Sequence, residues 1–567
     1  MLSRGFIGAE LRPAARLLTF RARSDTKNRF LHRSPLQLSC VPAPIMESSR
    51  QGPPSKRQRT GVEVAGVTPR HEPGKTFNVP GLVIREHTFT VPLDYSGQAG
   101  PFKGQTITLF ARELLAPSRN ENLPFLVYLQ GGPGYEAPRP SEASMWIRSA
   151  INSHRVVLLD QRGTGRSTPI TTTNLAKRGG SAEQASYLAL FRADNIVRDC
   201  EVVRKLLVPP SSFGGKWAVL GQSFGGFCAV TYLSQAPDGL MEALITGGLP
   251  PGIAQPCSAE QVYTALHKRV LAANAAYYDR FPQDVEAVGR IVRYLADQPG
   301  GGADLPSGSK LTSRLLQTLG LSGLGSGGGF ERLHYLLDSF FDADGEMTPT
   351  FAKGFESWHS WDTNPLYALL HEPIYCQNLP SATPIGSAAG SPAGSSGSEA
   401  PSAADGAGAP HGDGSNGIDG SGAGSAACRW AADRVRDSEA FSAAFDAVAA
   451  AREGRPVMFT GECVYRFMFD DLAALRPFKA TADLLAEKAD WGPLYDAGTL
   501  GQNRVPAAAL SYVDDLYVDY NLSMETASAV KGLKLWATNE YRHSGIREDG
   551  QRIFERLLGL ARNAIFP

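Results

Sequence analysis

Trp217-Ala-Val-Leu-Gly221-Gln222-Ser223-Phe224-Gly225-Gly226 carries an apolar run straight into Gly-x-Ser-x-Gly. A serine hydroxyl is a weak nucleophile unless a sharp turn between a strand and a helix lifts it clear of the sheet. Such a turn crowds the backbone, so the flanking positions must lack side chains, here Gly221 and Gly225. Phe227-Cys-Ala-Val-Thr-Tyr-Leu-Ser continues as a helix whose first amides face the reacting centre. With 60 glycines in 567 residues the bare motif carries little weight. The strand before it and the helix after it give it meaning, and they mark Ser223 as a catalytic nucleophile.

Two upstream segments fit the same chemistry. Leu123-Pro-Phe-Leu-Val-Tyr-Leu-Gln130 reads as a buried strand ending in Gly131-Gly132-Pro133-Gly134. A glycine-rich loop there can aim backbone N–H groups at a developing oxyanion, and a tight turn is its plainer alternative. The expected donors are the amide of Phe224 and one from Gly131 or Gly132. Val156-Val-Leu-Leu-Asp160 is another apolar strand, followed by Gln161-Arg162-Gly163-Thr164-Gly165-Arg166-Ser167. That loop lacks the spacing of a phosphate cradle and reads as a brace for the active site.

Gly-Gly-Pro-Gly, Asp-Gln-Arg-Gly-Thr-Gly-Arg-Ser and Gly-Gln-Ser-Phe-Gly-Gly, in this order, resemble the prolyl aminopeptidases (proline iminopeptidases) of the α/β-hydrolase fold. The likeness extends through the helical segment Phe191 to Glu201, covers roughly residues 80 to 250 and resumes near the C-terminus. The family's glycine loop often begins with histidine, where this chain has Gln130. The resemblance implies a mostly parallel central sheet flanked by helices, with an inserted and mainly helical cap. It also implies a serine aminopeptidase that releases N-terminal proline from peptides.

In this architecture the acid and the histidine follow the serine. Six of the ten histidines do so: His267, His334, His359, His371, His411 and His543. Those from 267 to 371 lie in helix-like sequence and His411 in a low-complexity tract. His543 follows Gly532-Leu-Lys-Leu-Trp-Ala-Thr-Asn-Glu540, which reads as the last strand. For the acid, Val505-Pro-Ala-Ala-Ala-Leu-Ser-Tyr-Val-Asp514-Asp515 is a strand ending in two carboxylates, with Asp519 close behind. Tyr-x-Asp-Asp-Leu-Tyr resembles the family's segment around its acid, which favours Asp515 and leaves Asp514 as its main rival.

From Pro250 to about Asn503, apolar residues recur at helical spacing, as in the segments beginning at Glu260, Phe330 and Ser438. This predicts a cap at 251–503, after the sixth core strand, between core segments 76–250 and 504–567. Caps in this fold cover the nucleophile and select the substrate. His371-Glu372-Pro-Ile-Tyr375 and Phe459-Thr-Gly461-Glu462-Cys-Val-Tyr465 resemble the family's amine-binding elements. Glu372 and Glu462 are therefore expected to pair with a free terminal ammonium.

Formal charge sums to zero, which gives no footprint for nucleic acid, and no apolar run reaches membrane-spanning length. Seven scattered cysteines without a Cys-x-x-Cys pair point to a reducing compartment. Neither a metal nor any other cofactor is implied.

Residues 1–75 read as an unfolded extension. The first 45 contain only Glu10 and Asp25 as acids among many arginines, the make-up of an organelle transit peptide. A mitochondrial or plastid destination is expected, or a cytoplasmic one if Met46 starts the chain, and no secretory signal is indicated. Pro53-Pro-Ser-Lys-Arg-Gln-Arg59 reads as a solvated linker. Residues 386–427, rich in Gly, Ser, Ala and Pro, cannot bury enough surface to order themselves and read as a loop within the cap.

The rival enzyme is an esterase or amidase on small acyl groups, since the motif specifies a nucleophile and not a leaving group. A binding protein that kept the fold and lost turnover is the rival outside enzymes. The retained serine, histidine, aspartate and glycine loop count against it.

Overall fold

The computed structural model describes residues 59–60, 62–378 and 427–565. The arginine-rich leader, Met46 and nearly all of the 53–59 and 386–427 tracts lie outside the described residues. Twelve strands occur among those described, in chain order β1 (Arg59–Thr60), β2 (Arg70–Val79), β3 (Leu82–Pro92), β4 (Thr106–Leu115), β5 (Phe125–Leu129), β6 (Arg155–Asp160), β7 (Trp217–Gln222), β8 (Leu240–Thr246), β9 (Gly302–Asp304), β10 (Lys310–Thr312), β11 (Ala507–Tyr512) and β12 (Leu533–Thr538). Ten of them form one sheet in the order β1-β2-β3-β4-β6-β5-β7-β8-β11-β12. The run from β6 to β12 is parallel, and β1 to β4 join its edge antiparallel.

The apolar runs of β5 to β8 follow from burial on both faces. Val127, Leu129, Val157, Val219 and Ile245 point into one core, with helices Ala193–Leu207 and Phe224–Gln235. Their neighbours Leu126, Tyr128, Val156, Leu158, Leu220 and Leu244 point into another, with helices Met145–Ala150 and Gly550–Ala561. This strict alternation fixes the register of each strand, because a slip of one residue would exchange the two faces.

Strand β5 is flanked by β6 on one side and β7 on the other, so the chain reverses its direction of winding there. Open sheets of this kind leave a crevice beyond the C-terminal ends of strands at such a reversal. The loops leaving β5 and β7, which carry Gly131 and Ser223, meet in it.

The stretch expected to be unfolded as far as residue 75 is a strand from Arg70, where β2 begins. Its Pro73, Gly74 and mostly exposed side chains look like loop sequence. They suit a strand near the sheet's edge, paired to β3 with a register shift between Pro73 and Thr76. With β1, this strand also makes the cap follow the eighth strand in chain order rather than the sixth.

The insertion between Thr246 and Ala507 is mainly helical, with the antiparallel pair β9–β10 as its one small sheet among the described residues. Its first helix, Ala259–Arg280, starts on a reciprocal cap in which Ser258 Oγ accepts from Gln261 N and Gln261 Oε1 accepts from Ser258 N. No helix among the described residues is long and apolar enough to cross a membrane.

Candidate active site

Ser223 sits between β7 and the helix Phe224–Gln235 with φ 55° and ψ −127°, a conformation that costs a non-glycine residue about 1–3 kcal/mol. The neighbours show why the turn is built from glycine. A Cβ on Gly221 would lie 2.2 Å from the carbonyl oxygen of Gly225, and one on Gly225 would lie 1.9 Å from that of Leu129. Ser223 N donates to Thr246 O at 3.0 Å, tying the turn to the end of β8.

His543 follows β12 and reaches the turn. Its Nε2 lies 2.9 Å from Ser223 Oγ, and its Nδ1 lies 2.8 Å from Asp515 Oδ2. A carboxylate only accepts, so Nδ1 carries the proton and Nε2 offers a lone pair to the serine hydroxyl. Asp515 is buried, and its other oxygen accepts from the amides of Tyr517 at 2.8 Å and Val518 at 3.2 Å. The rivals are placed elsewhere. Asp514 is exposed. Asp519 accepts from Asn521 N and Leu522 N to start the helix Tyr520–Ala529, and it pairs with Arg269.

The glycine loop abuts the nucleophile, since a Cβ on Gly131 would lie 2.8 Å from Ser223 Cβ. The side chain of Gln130 satisfies its neighbours with its oxygen 3.3 Å from Gly131 N and 3.1 Å from Arg547 Nη2. Its nitrogen then donates to the Tyr128 hydroxyl at 2.9 Å. Gly131's amide is thereby occupied, which leaves Gly132 as the loop's expected donor. Phe224 N opens a helix and has no intrahelical acceptor. The loop after β6 braces this arrangement: Gln161 Nε2 donates to Gln130 O at 2.9 Å. Arg162, fully buried, grips Asp199 through two 2.7 Å bonds.

The two cap glutamates part company. Glu462 is buried and accepts from the Tyr367 hydroxyl at 2.8 Å, while its second oxygen lies 3.5 Å from His371 Nε2. Its charge is felt by Tyr135, on the glycine loop, and by Tyr517. The Tyr517 ring stacks on His543 at 4.3 Å between centroids. Glu462 thus belongs to the surroundings of the nucleophile.

Glu372 takes up a different task from the one expected of it. Its two oxygens accept from Ala432 N at 2.9 Å and Ala431 N at 3.2 Å, capping the helix Ala431–Arg436. The first amides of a helix need outside acceptors, and Trp430 at the cap position supplies none. Glu372 also ties together the chain on either side of the 386–427 tract, whose described borders are the exposed Asn378 and the half-buried Ala427. Both oxygens being spent on backbone, it offers an ammonium little.

Burial pushes the Glu372 carboxyl up from its ordinary 4.5 to about 7, against the pull of those amides. A raised carboxyl favours the protonated folded state, so this contribution is complete below pH 4.5 and is lost as pH rises toward 7. Glu372→Gln should remove that dependence. The stability difference, wild type minus variant, is expected to fall by about 3 kcal/mol between pH 4.5 and 8 in urea unfolding. A flat difference would show that folding leaves the Glu372 carboxyl at its ordinary value.

Sequence reading passed over three side chains here. Tyr517 lies within the quoted Tyr-x-Asp-Asp-Leu-Tyr segment, and His371 precedes Glu372 in another, so both had a local signal. Tyr367 had none.

Residues 124–288 match the family model described as the alpha/beta hydrolase fold. The chain is 41% identical to a proline iminopeptidase of Aeromonas sobria over 488 residues, covering 86% of this chain and 98% of the relative. It is 34% identical to the proline iminopeptidase aneH of Aspergillus aculeatus over 487 residues, covering 85% and 94%. A solved proline iminopeptidase of Mycobacterium smegmatis aligns at 11% identity and TM-score 0.35, covering 82% of this chain and 98% of that one. On the strength of the two sequence relatives, matched over nearly their whole length, the chain belongs to the proline iminopeptidase family of α/β-hydrolases.

Proposed function

We propose that the protein is a serine aminopeptidase that releases N-terminal proline from peptides by way of a prolyl-enzyme. Ser223 Oγ attacks the scissile carbonyl as His543 Nε2 takes its proton, and Asp515 stabilises the imidazolium that forms. The oxyanion is received by the amides of Phe224 and Gly132. His543 then returns the proton to the departing amine, and water enters to release proline by the same steps in reverse. A buried carboxylate whose charge reaches Tyr135 on the glycine loop and Tyr517 against His543 is what favours this reading over a simple esterase. Glu462 can pair with the terminal ammonium of a peptide, and a blocked or internal residue would leave that charge buried without a partner. Tyr135, Tyr367 and Tyr517 supply apolar faces around it for a pyrrolidine ring.

Chromogenic amides of proline, alanine and N-acylated proline, with a short acyl ester, test the reading. Cleavage of the proline amide that disappears on N-acylation is the expected result. Ester cleavage indifferent to a free amine would make the protein an esterase. Glu462→Gln should raise KM for the proline amide by about tenfold or more, since it removes a charged hydrogen-bond partner. Its effect on the ester should be within about threefold. Equal losses on both substrates would remove Glu462 from amine recognition.

A further inference from the structure

His371 is completely buried and lies outside the Ser223–His543–Asp515 chain, yet it forms a chain of its own. Its Nδ1 is 3.1 Å from the Tyr263 hydroxyl, and its Nε2 is 3.5 Å from Glu462 Oε2. Tyr263 is also fully buried, and His371 is its hydroxyl's hydrogen-bond partner among the described residues. A buried hydroxyl needs an acceptor for its proton, so it donates to Nδ1. The remaining ring proton is therefore on Nε2, facing Glu462. The Nε2–Oε2 separation is longer than an ordinary N–H···O bond, and Nε2 has no other acceptor within reach. On the far side, Tyr367 holds Glu462 Oε1, so the carboxylate is gripped at one oxygen and approached at the other.

Packing alone does not call for a histidine here. The ring lies among Tyr263, Tyr367 and Tyr375 at centroid distances of 6.3, 5.2 and 6.2 Å, surroundings in which phenylalanine would serve without two polar atoms to satisfy. What the imidazole adds is a directed N–H toward a buried carboxylate.

We propose that His371, held by Tyr263, is a positioning residue for recognition of the substrate's amine. It fixes the Glu462 carboxylate from the side opposite Tyr367, so that Oε2 is presented to the terminal ammonium. The inference rests on the aminopeptidase reading above and deepens it. The long Nε2–Oε2 approach fits such a role, since hydrogen bonds of this kind often tighten only when substrate arrives.

The test uses the full chain with His371→Phe, His371→Gln and Tyr263→Phe, assayed on a proline amide and on a short acyl ester. His371→Phe keeps the ring packing and loses the N–H. It should raise KM for the amide by about tenfold or more, lower kcat by less than about threefold, and change ester kcat/KM by less than about threefold. Glutamine can place an amide N–H near the site of Nε2, so His371→Gln should recover KM to within about threefold of wild type. Tyr263→Phe frees Nδ1 and loosens the ring, so its KM should fall between these two. It carries the same split if the phenylalanine variant does not fold. An unaltered KM in His371→Phe and Tyr263→Phe overturns the proposal. So does a parallel loss on amide and ester that glutamine fails to recover, the mark of a merely structural residue. A wild-type enzyme that hydrolyses the ester and ignores the free amine fails earlier, taking down the aminopeptidase reading and this inference together.

Discussion

Replacing Ser223 by alanine should lower kcat/KM for a proline amide by about 10⁶-fold while leaving the protein folded. The size of the loss follows from the arrangement. Oγ is the one atom that both lies 2.9 Å from His543 Nε2 and projects from the turn into the crevice. With the hydroxyl gone, His543 has nothing to deprotonate, and only water attack aided by the backbone donors remains. The turn itself should survive. Alanine keeps the Cβ, and the bond from residue 223 N to Thr246 O is a backbone one. A fluorophosphonate probe should label the wild type at Ser223 and leave the variant unlabelled. A variant retaining more than about one hundredth of the activity would place the nucleophile elsewhere.

The centre of the sheet was legible because its constraints are local. Strands buried on both faces read as unbroken apolar runs, and glycines at which an added Cβ would lie about 2 Å from a backbone oxygen stand at fixed offsets from the serine. His543 was legible by elimination, since position along the chain left one candidate. The rest depends on pairings that no neighbouring residue announces. β2 reads as loop until β3 is there to bond it. Glu372 looks like a substrate carboxylate in its motif. It becomes a helix cap only because a helix begins 59 residues later with its first amides facing it. The chain from Tyr263 through His371 to Glu462 joins three separate cap segments, so its sequence signal is scattered. Asp514 and Asp515 show the limit most sharply. Adjacent residues leaving a strand point in opposite directions, and the sequence states the pair without stating which one turns inward.

Asp515→Asn should therefore reduce kcat/KM by about 10⁴-fold, and Asp514→Asn by less than about twofold. The argument concerns a proton's address. In the wild type, Asp515 Oδ2 accepts from His543 Nδ1, while Oδ1 is held by the amides of Tyr517 and Val518. An asparagine keeps its carbonyl oxygen toward those two amides and turns its NH₂ toward Nδ1. Nδ1 must then accept, which moves the ring proton to Nε2, where it points at the Ser223 hydroxyl. The imidazole keeps its place and its stacking on Tyr517, but it can no longer take the serine's proton. Because the geometry survives, KM should change little and the loss should appear in kcat. Asp514 is exposed and its charge acts on Arg542, so an amide there disturbs neither the histidine nor the turn. Asp519→Asn makes a useful third arm: asparagine keeps an oxygen for the helix cap but loses the ion pair with Arg269, which should lower thermal stability more than turnover. Should Asp514→Asn carry the large loss in kcat instead, the carboxylate that orients His543 in solution would be Asp514, and the strand end would have to turn over by one residue.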